Sequence, residues 1–186
     1  HNGAVTVMGS SDAGEIVVHV KKTARGHTLE EAEACIDAIE LISERDGAEH
    51  RFGWKFSQPK QRGWSVSVAF DVTTPTGVGV NVVTHNGKVK IEGIDGDTHA
   101  QTHNGSVTVE TNSRELNVVT HNGAIHSDSP VQKVSAETHN GKVRARFSGD
   151  HEVAGSMVTH NGSIIVEMPE SASADFRCVT HNGSIS

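Results

Sequence analysis

Tyrosine is absent from this chain of 186 residues, and aromatic residues of all kinds make up only 4%. A core without large rings must be built from Val, Ile, Ala and Thr, a palette that suits strands better than a conventional globular centre. Basic residues are also scarce, 16 Lys and Arg against 23 Asp and Glu for a net charge of −7. That balance excludes nucleic acid as the main partner, because phosphate binding needs a basic footprint. No stretch approaches the roughly 18 consecutive apolar residues of a membrane span, and no signal peptide is present. Because the chain opens with His1-Asn2-Gly3, inside a repeat unit, an anchor preceding it is compatible with the sequence. The two cysteines, Cys35 and Cys178, lie far apart and read as small buried hydrophobes rather than as a disulfide. Catalytic signatures are missing as well: there is no G-x-S-x-G, no H-E-x-x-H and no phosphate loop.

What the sequence has in quantity is repetition. Thr-His-Asn-Gly occurs at residues 84–87 and returns at 102, 120, 138, 159 and 180. Successive histidines are 18 residues apart from His85 to His139 and 21 apart from His139 to His181. A fixed short period marks a solenoid or a strand array. Alternating runs enter and leave each motif, as in "VNVVT-HNG-KVKIE", and period-two alternation reads as half-buried strand. Parity predicts a core of Val80, Val82, Thr84, Val89 and Ile91 in the first unit. Its equivalents are Leu116, Val118, Thr120 and Ile125, then Val134, Ala136, Thr138, Val143, Ala145 and Phe147, and finally Phe176, Cys178, Thr180 and Ile185. Histidine, one step past Thr, then points outward, and Asn-Gly takes the corner, where positive φ is cheap for these two residue types.

Two architectures fit. In an all-β solenoid each 18–21-residue unit is one coil, and equivalent residues stack about 4.8 Å apart. In an antiparallel meander or sandwich, Asn-Gly makes two-residue hairpins and equivalents recur about twice as far apart. The solenoid is favoured, because the extra residues of the longer units fall in the loop opposite the motif. The chain reads as one domain over 1–186, with N-terminal strands and one helix in 1–75 and the repeat array in 76–186. The helix is expected over about 28–46, with a Thr28–Glu31 capping box, Gly47 at its far end and an apolar stripe of Leu29, Ala32, Cys35, Ile36, Ile39 and Ile42.

The order "NGAVTV", "EIVVHVKKTA", "LEEAEACIDAIEL" and "VAFDVTTPTGVGVNVVTHNGKVKIEGIDGDTHAQTHNGSVTVE", with "T-x-N-G-x-V/I-x-V/I" following "V-x-V/T-P-x-G", resembles the bacterial DUF4097 family of adhesin-like or toastrack domains. The resemblance covers essentially the whole chain. It implies a right-handed β-helix-like fold, an extracytoplasmic and often membrane-tethered location, and a role in envelope adhesion or stress sensing. It brings no catalytic residues. The departure is the variable position of T-x-N-G, which is His in every copy here.

Asn and Gly have a structural explanation, since stacked Asn amides can hydrogen-bond from coil to coil. A solvent-facing corner does not demand imidazole. Stacked coils would set His85, His103, His121, His139, His160 and His181 in one outward row, with His1 extending it. Neutral imidazoles at that spacing suit Zn, Cu or Ni, with outward Glu137 and nearby His126 as the obvious additional ligands. The competing readings are a pH-sensitive surface, through like-charge repulsion below about pH 6.5, and a row inherited by duplication. Beside it, Val83, Gln101, Val119, Glu137, Val158 and Val179 form a largely apolar outward row. Either the helix stripe covers these valines or a protein or cell-surface partner does. The expected function is a non-enzymatic, extracytoplasmic binding or scaffold module, with Zn, Cu or Ni on the His row as the one candidate cofactor. The alternative is a carbohydrate-active enzyme on the same fold, for which Asp95 and Asp97 are the only local acidic pair. The three Asn-Gly-Ser glycosylation patterns are by-products of the repeat.

Overall fold

The computed structural model describes residues 2–147 and 152–186. In chain order the elements are β1 Val5–Ser10, β2 Val17–Arg25, α1 Leu29–Asp37, β3 Ile39–Asp46, β4 Glu49–Phe56 and β5 Ser65–Pro75. There follow β6 Val80–Val83, β7 Val89–Glu92, β8 Thr98–Asn104, β9 Val107–Glu110, β10 Glu115–Asn122 and β11 Ile125–Asp128. β12 Lys133–Asn140, β13 Val143–Arg146, β14 Val153–Asn161, β15 Ile164–Glu167 and β16 Ala174–Asn182 complete the series. The chain forms two compact units, one of Gly3–His19 with Phe70–Ser186, the other essentially Val20–Ala69.

The larger unit is a β-solenoid. Each coil contributes one strand to each of two parallel sheets. The even-numbered strands run β16-β14-β12-β10-β8-β6, and the odd-numbered ones β15-β13-β11-β9-β7, then β1 and β5. All these pairings are parallel and in register, Val118 opposite Ala100 and Ala136, Thr120 opposite Thr102 and Thr138. Register decides between the two expected architectures, since a meander would pair its strands antiparallel. The array also takes in more of the chain than residues 76–186, because β1 pairs with β7 on one side and with β5 on the other.

Alternation places the core where parity predicted. Val82, Ala100, Val118, Ala136 and Met157 stack in one buried row, and Val89, Val107, Ile125, Val143 and Ile164 in another. Val80, Phe176 and Cys178 are only partly buried, and Ile185 is 51% exposed. Volume is traded between coils: Gly155 lies against Val134, where a Cβ would meet the Val134 side chain at 2.4 Å. Its neighbour on β16 is Phe176, whose ring stacks on Phe147 at 5.1 Å.

The smaller unit corrects the expected helix. α1 stops at Asp37, half the expected length, and residues 39–46 form β3 instead, paired antiparallel with β4. Thr28 caps the helix by accepting from the Glu31 amide at 3.2 Å, and the Glu31 carboxylate accepts from the His27 amide at 2.7 Å. Gly47 is no helix stop. It has φ +60° in the two-residue turn between Asp46 and Glu49, while Ala48 keeps a negative φ. Positive φ at the first central position alone is the type II′ hairpin, whose sequence mark is glycine there. Of the apolar stripe, Cys35 is the only buried helix residue, Leu29 is 76% exposed and Ile39 is buried on the strand. Cys35 and Cys178 are both free thiols, as expected, and burial pushes the pKa of each upward.

Candidate functional site: a ladder of six histidines

Each residue of the corner motif has its own axial ladder. Thr sits at the end of the inward-facing pattern and is buried from Thr84 to Thr159. Its hydroxyl donates to the glycine carbonyl of the preceding coil: Thr102 to Gly87 at 3.1 Å, Thr120 to Gly105, Thr138 to Gly123 and Thr159 to Gly141 at 2.9 Å, Thr180 to Gly162 at 2.8 Å. Asn amides form a continuous chain. Asn182 donates to Asn161, Asn161 to Asn140, Asn140 to Asn122, Asn122 to Asn104 and Asn104 to Asn86, at 2.6–2.8 Å.

Glycine is needed for a reason other than the one expected. None of Gly87, Gly105, Gly123, Gly141, Gly162 and Gly183 has positive φ. A Cβ on any of them would stand 1.9–2.0 Å from the carbonyl oxygen of the corner glycine one coil earlier. At each corner the Cβ direction points along the axis into the backbone of the coil beneath, so a side chain there is excluded.

Histidine is the outward member. The rings of His85, His103, His121, His139, His160 and His181 stack face to face, with centroids 4.7–4.8 Å apart and planes within 3–5° of parallel. All six side chains are exposed, and no hydrogen bond from the described residues engages their ring nitrogens. The stack supplies part of a structural reason for the residue: a continuous column of rings needs a planar side chain in every coil. It does not account for imidazole nitrogens in particular. His1 lies outside the described residues.

The ladder forms one wall of a shallow groove of about 790 Å³ on the outer face of the even-numbered sheet. Its other wall is the row Val83, Gln101, Val119, Glu137, Val158 and Val179. Val83 is 58% and Val179 40% exposed, so this row is open to solvent. The groove was not visible in the sequence as a groove, although alternation had assigned both of its walls. The structure brings together all six predicted histidines and Glu137. It separates His126, which lies on β11 in a second, smaller groove with Glu110, Asp128, Arg144 and Arg146. Among the described residues, no group of three or more His, Cys, Asp or Glu side chains converges on a point that could hold a metal ion.

The acidic pair behaves as a turn. Asp95 accepts from the Asn112 amide at 3.1 Å, and hydrogen bonds from Thr76 and Asn112 hold its carboxyl below the usual carboxylate range. Neither Asp95 nor Asp97 lines either groove.

Comparison with solved structures finds one from Bacteroides fragilis described as a "putative adhesin". The two share the fold across 100% of this chain and 89% of that one, with a TM-score of 0.55 and 14% sequence identity. At that identity the likeness concerns architecture alone. No family model matches the chain, and no curated protein does.

Proposed function

We propose that this chain is a non-enzymatic, adhesin-like binding or scaffold domain working outside the cytoplasm. Its contact surface is the His/Val groove, and its ligand there is a divalent transition metal, Zn, Cu or Ni, acting with a protein or cell-surface partner. One observation carries the proposal: six exposed imidazoles, whose nitrogens have no hydrogen-bond partner among the described residues, stand in a single row. Neutral imidazole is a strong ligand for these ions. The extracytoplasmic, adhesin-like part draws on the sequence resemblance and on the description of the Bacteroides neighbour. Against the alternative of a carbohydrate-active enzyme stands the groove's lining, in which Glu137 is the single carboxylate among the described residues. Acid–base cleavage of a glycosidic bond needs a facing pair.

Calorimetric titration with Zn²⁺, Cu²⁺ and Ni²⁺ near neutral pH tests the proposal, beside a variant with all six ladder histidines changed to Ser. Heat from the parent and none from the variant is the expected result. A silent parent, or equal binding by both proteins, sinks the metal part.

A further inference from the structure

The ring stack limits how the ladder can hold an ion. An imidazole lone pair lies in the ring plane, and neighbouring planes here are within 3–5° of parallel. Corresponding nitrogens of adjacent rings are therefore separated by about the coil rise, 4.7–4.8 Å between centroids. Two Zn–N bonds of about 2.0–2.1 Å in a tetrahedral arrangement bring their nitrogens to roughly 3.4 Å. Adjacent rings can close that gap by tipping toward each other about their side-chain torsions. Three consecutive rings cannot, because the outer two stand about two coil rises apart, roughly 9–10 Å. One ion therefore takes two rings of the ladder. The chain has little else to offer it: no three-ligand group exists among the described residues, and Glu137 is the groove's lone acid.

A tetrahedral ion with two imidazoles still needs two more ligands. Resting on the metal reading above, we infer that a second copy of this chain supplies them, so that two ladders face each other across a row of ions and each ion is held by four imidazoles. The partner must present nitrogen ligands in pairs, at the same rise, over six coils. Another copy matches that rise, and its rings pair by the same tipping, because the coil spacing is uniform at 4.7–4.8 Å along the ladder. The six rings divide into the pairs His85/His103, His121/His139 and His160/His181 with none left over. The facing arrangement has two-fold symmetry, the usual form of a self-complementary interface. It also draws together the exposed Val83 and Val179 beside the ladder and the matching valines of the second copy.

Sedimentation of the full chain, metal-free and then titrated with Zn²⁺, reads the proposal directly. The expected result is a doubling of mass that saturates at about 1.5 ions per chain, three ions shared by two ladders, and that EDTA reverses. A variant with His121 and His139 changed to Ser should keep its circular dichroism and saturate at about one ion per chain. If Zn²⁺ binds at about three ions per chain with no change of mass, water or another ligand completes each site. The second-copy inference then falls while the metal reading stands. If the parent takes up no Zn²⁺, both fall. A Zn²⁺-dependent dimer that persists when all six histidines are Ser places the contact elsewhere and overturns the inference.

Discussion

At the scale of single residues, the corner motif divides into four independent reasons for four letters. Thr satisfies a carbonyl of the coil below, Asn carries the amide chain, Gly lets backbones approach, and His builds the ring column. Parity gave the burial of Thr but not the carbonyl its hydroxyl reaches, and the asparagine chain was legible in the sequence through its repetition. The reason for glycine was not, because axial approach exists only once coils are stacked, and a single strand read alone suggests a φ requirement instead. This makes a sharp prediction. Gly123→Ala would put a Cβ 2.0 Å from the Gly105 carbonyl oxygen, and the backbone has to move to admit it. Overpacking of this kind destabilises by about 1–3 kcal/mol or more. Gly14→Ala, where nothing lies within 4 Å, is the control. Urea denaturation should shift the midpoint down for the first variant and leave the second close to the parent.

Among elements, the helix and hairpin of the smaller unit show how two signals compete in one stretch. Residues 29–42 carry apolar side chains at helical spacing, yet Ile39 to Asp46 pair as a strand. Asp46-Gly47 is a hairpin signal as much as a helix stop, and what decides is partner availability: β4 presents Trp54 and Phe56 opposite Leu41 and Ile39. Such a choice between neighbours is not encoded in the period of one segment. The two features should fail separately. Gly47→Val forces a β-branched residue to φ +60° and strains the hairpin by roughly 1–2 kcal/mol, whereas Thr28→Ala removes a cap worth about 1 kcal/mol. Amide exchange read residue by residue should accelerate in β3 and β4 for the first and in α1 for the second. Acceleration spread evenly over both elements by either change would contradict this division.

For the molecule as a whole, cross-coil ion pairs on the outer face of the odd-numbered sheet add a pH dependence with a definite sign. Arg144 on β13 donates to Glu167 on β15 at 2.6 Å, and Arg146 bonds the other carboxylate oxygen at 3.2 Å while also reaching Asp128 on β11 at 3.4 Å. The hydrogen bond from Arg144, followed by its charge and the contacts of Arg146, holds the Glu167 carboxyl below its ordinary range. A carboxyl with a lowered folded pKa favours the folded state above its unfolded value, about 4.3, and loses that contribution as pH falls through the folded one. Glu167→Gln should therefore be less stable than the parent at neutral pH. In chemical denaturation the two curves should converge in acid, and a gap that widened on acidification would reverse the sign. The repeat array was legible from the spacing of the motif, and the position of the extra residues favoured a solenoid without excluding a meander. The spacing alone also fitted a meander, because both repeat their corners. Only the register, Thr120 against Thr102 and Thr138, separates them.

The asparagine chain has one more property, which lies in its direction. Every amide N–H in it points toward the preceding coil and every carbonyl toward the following one, without a reversal from Asn182 to Asn86. The threonine hydroxyls donate in the same sense. Bond dipoles aligned head to tail add, and each polarises the next. The corner edge of the solenoid is thus a wire of oriented side-chain dipoles with its positive pole at the first coil, an axial polarity built from side chains where an α-helix builds its own from the backbone.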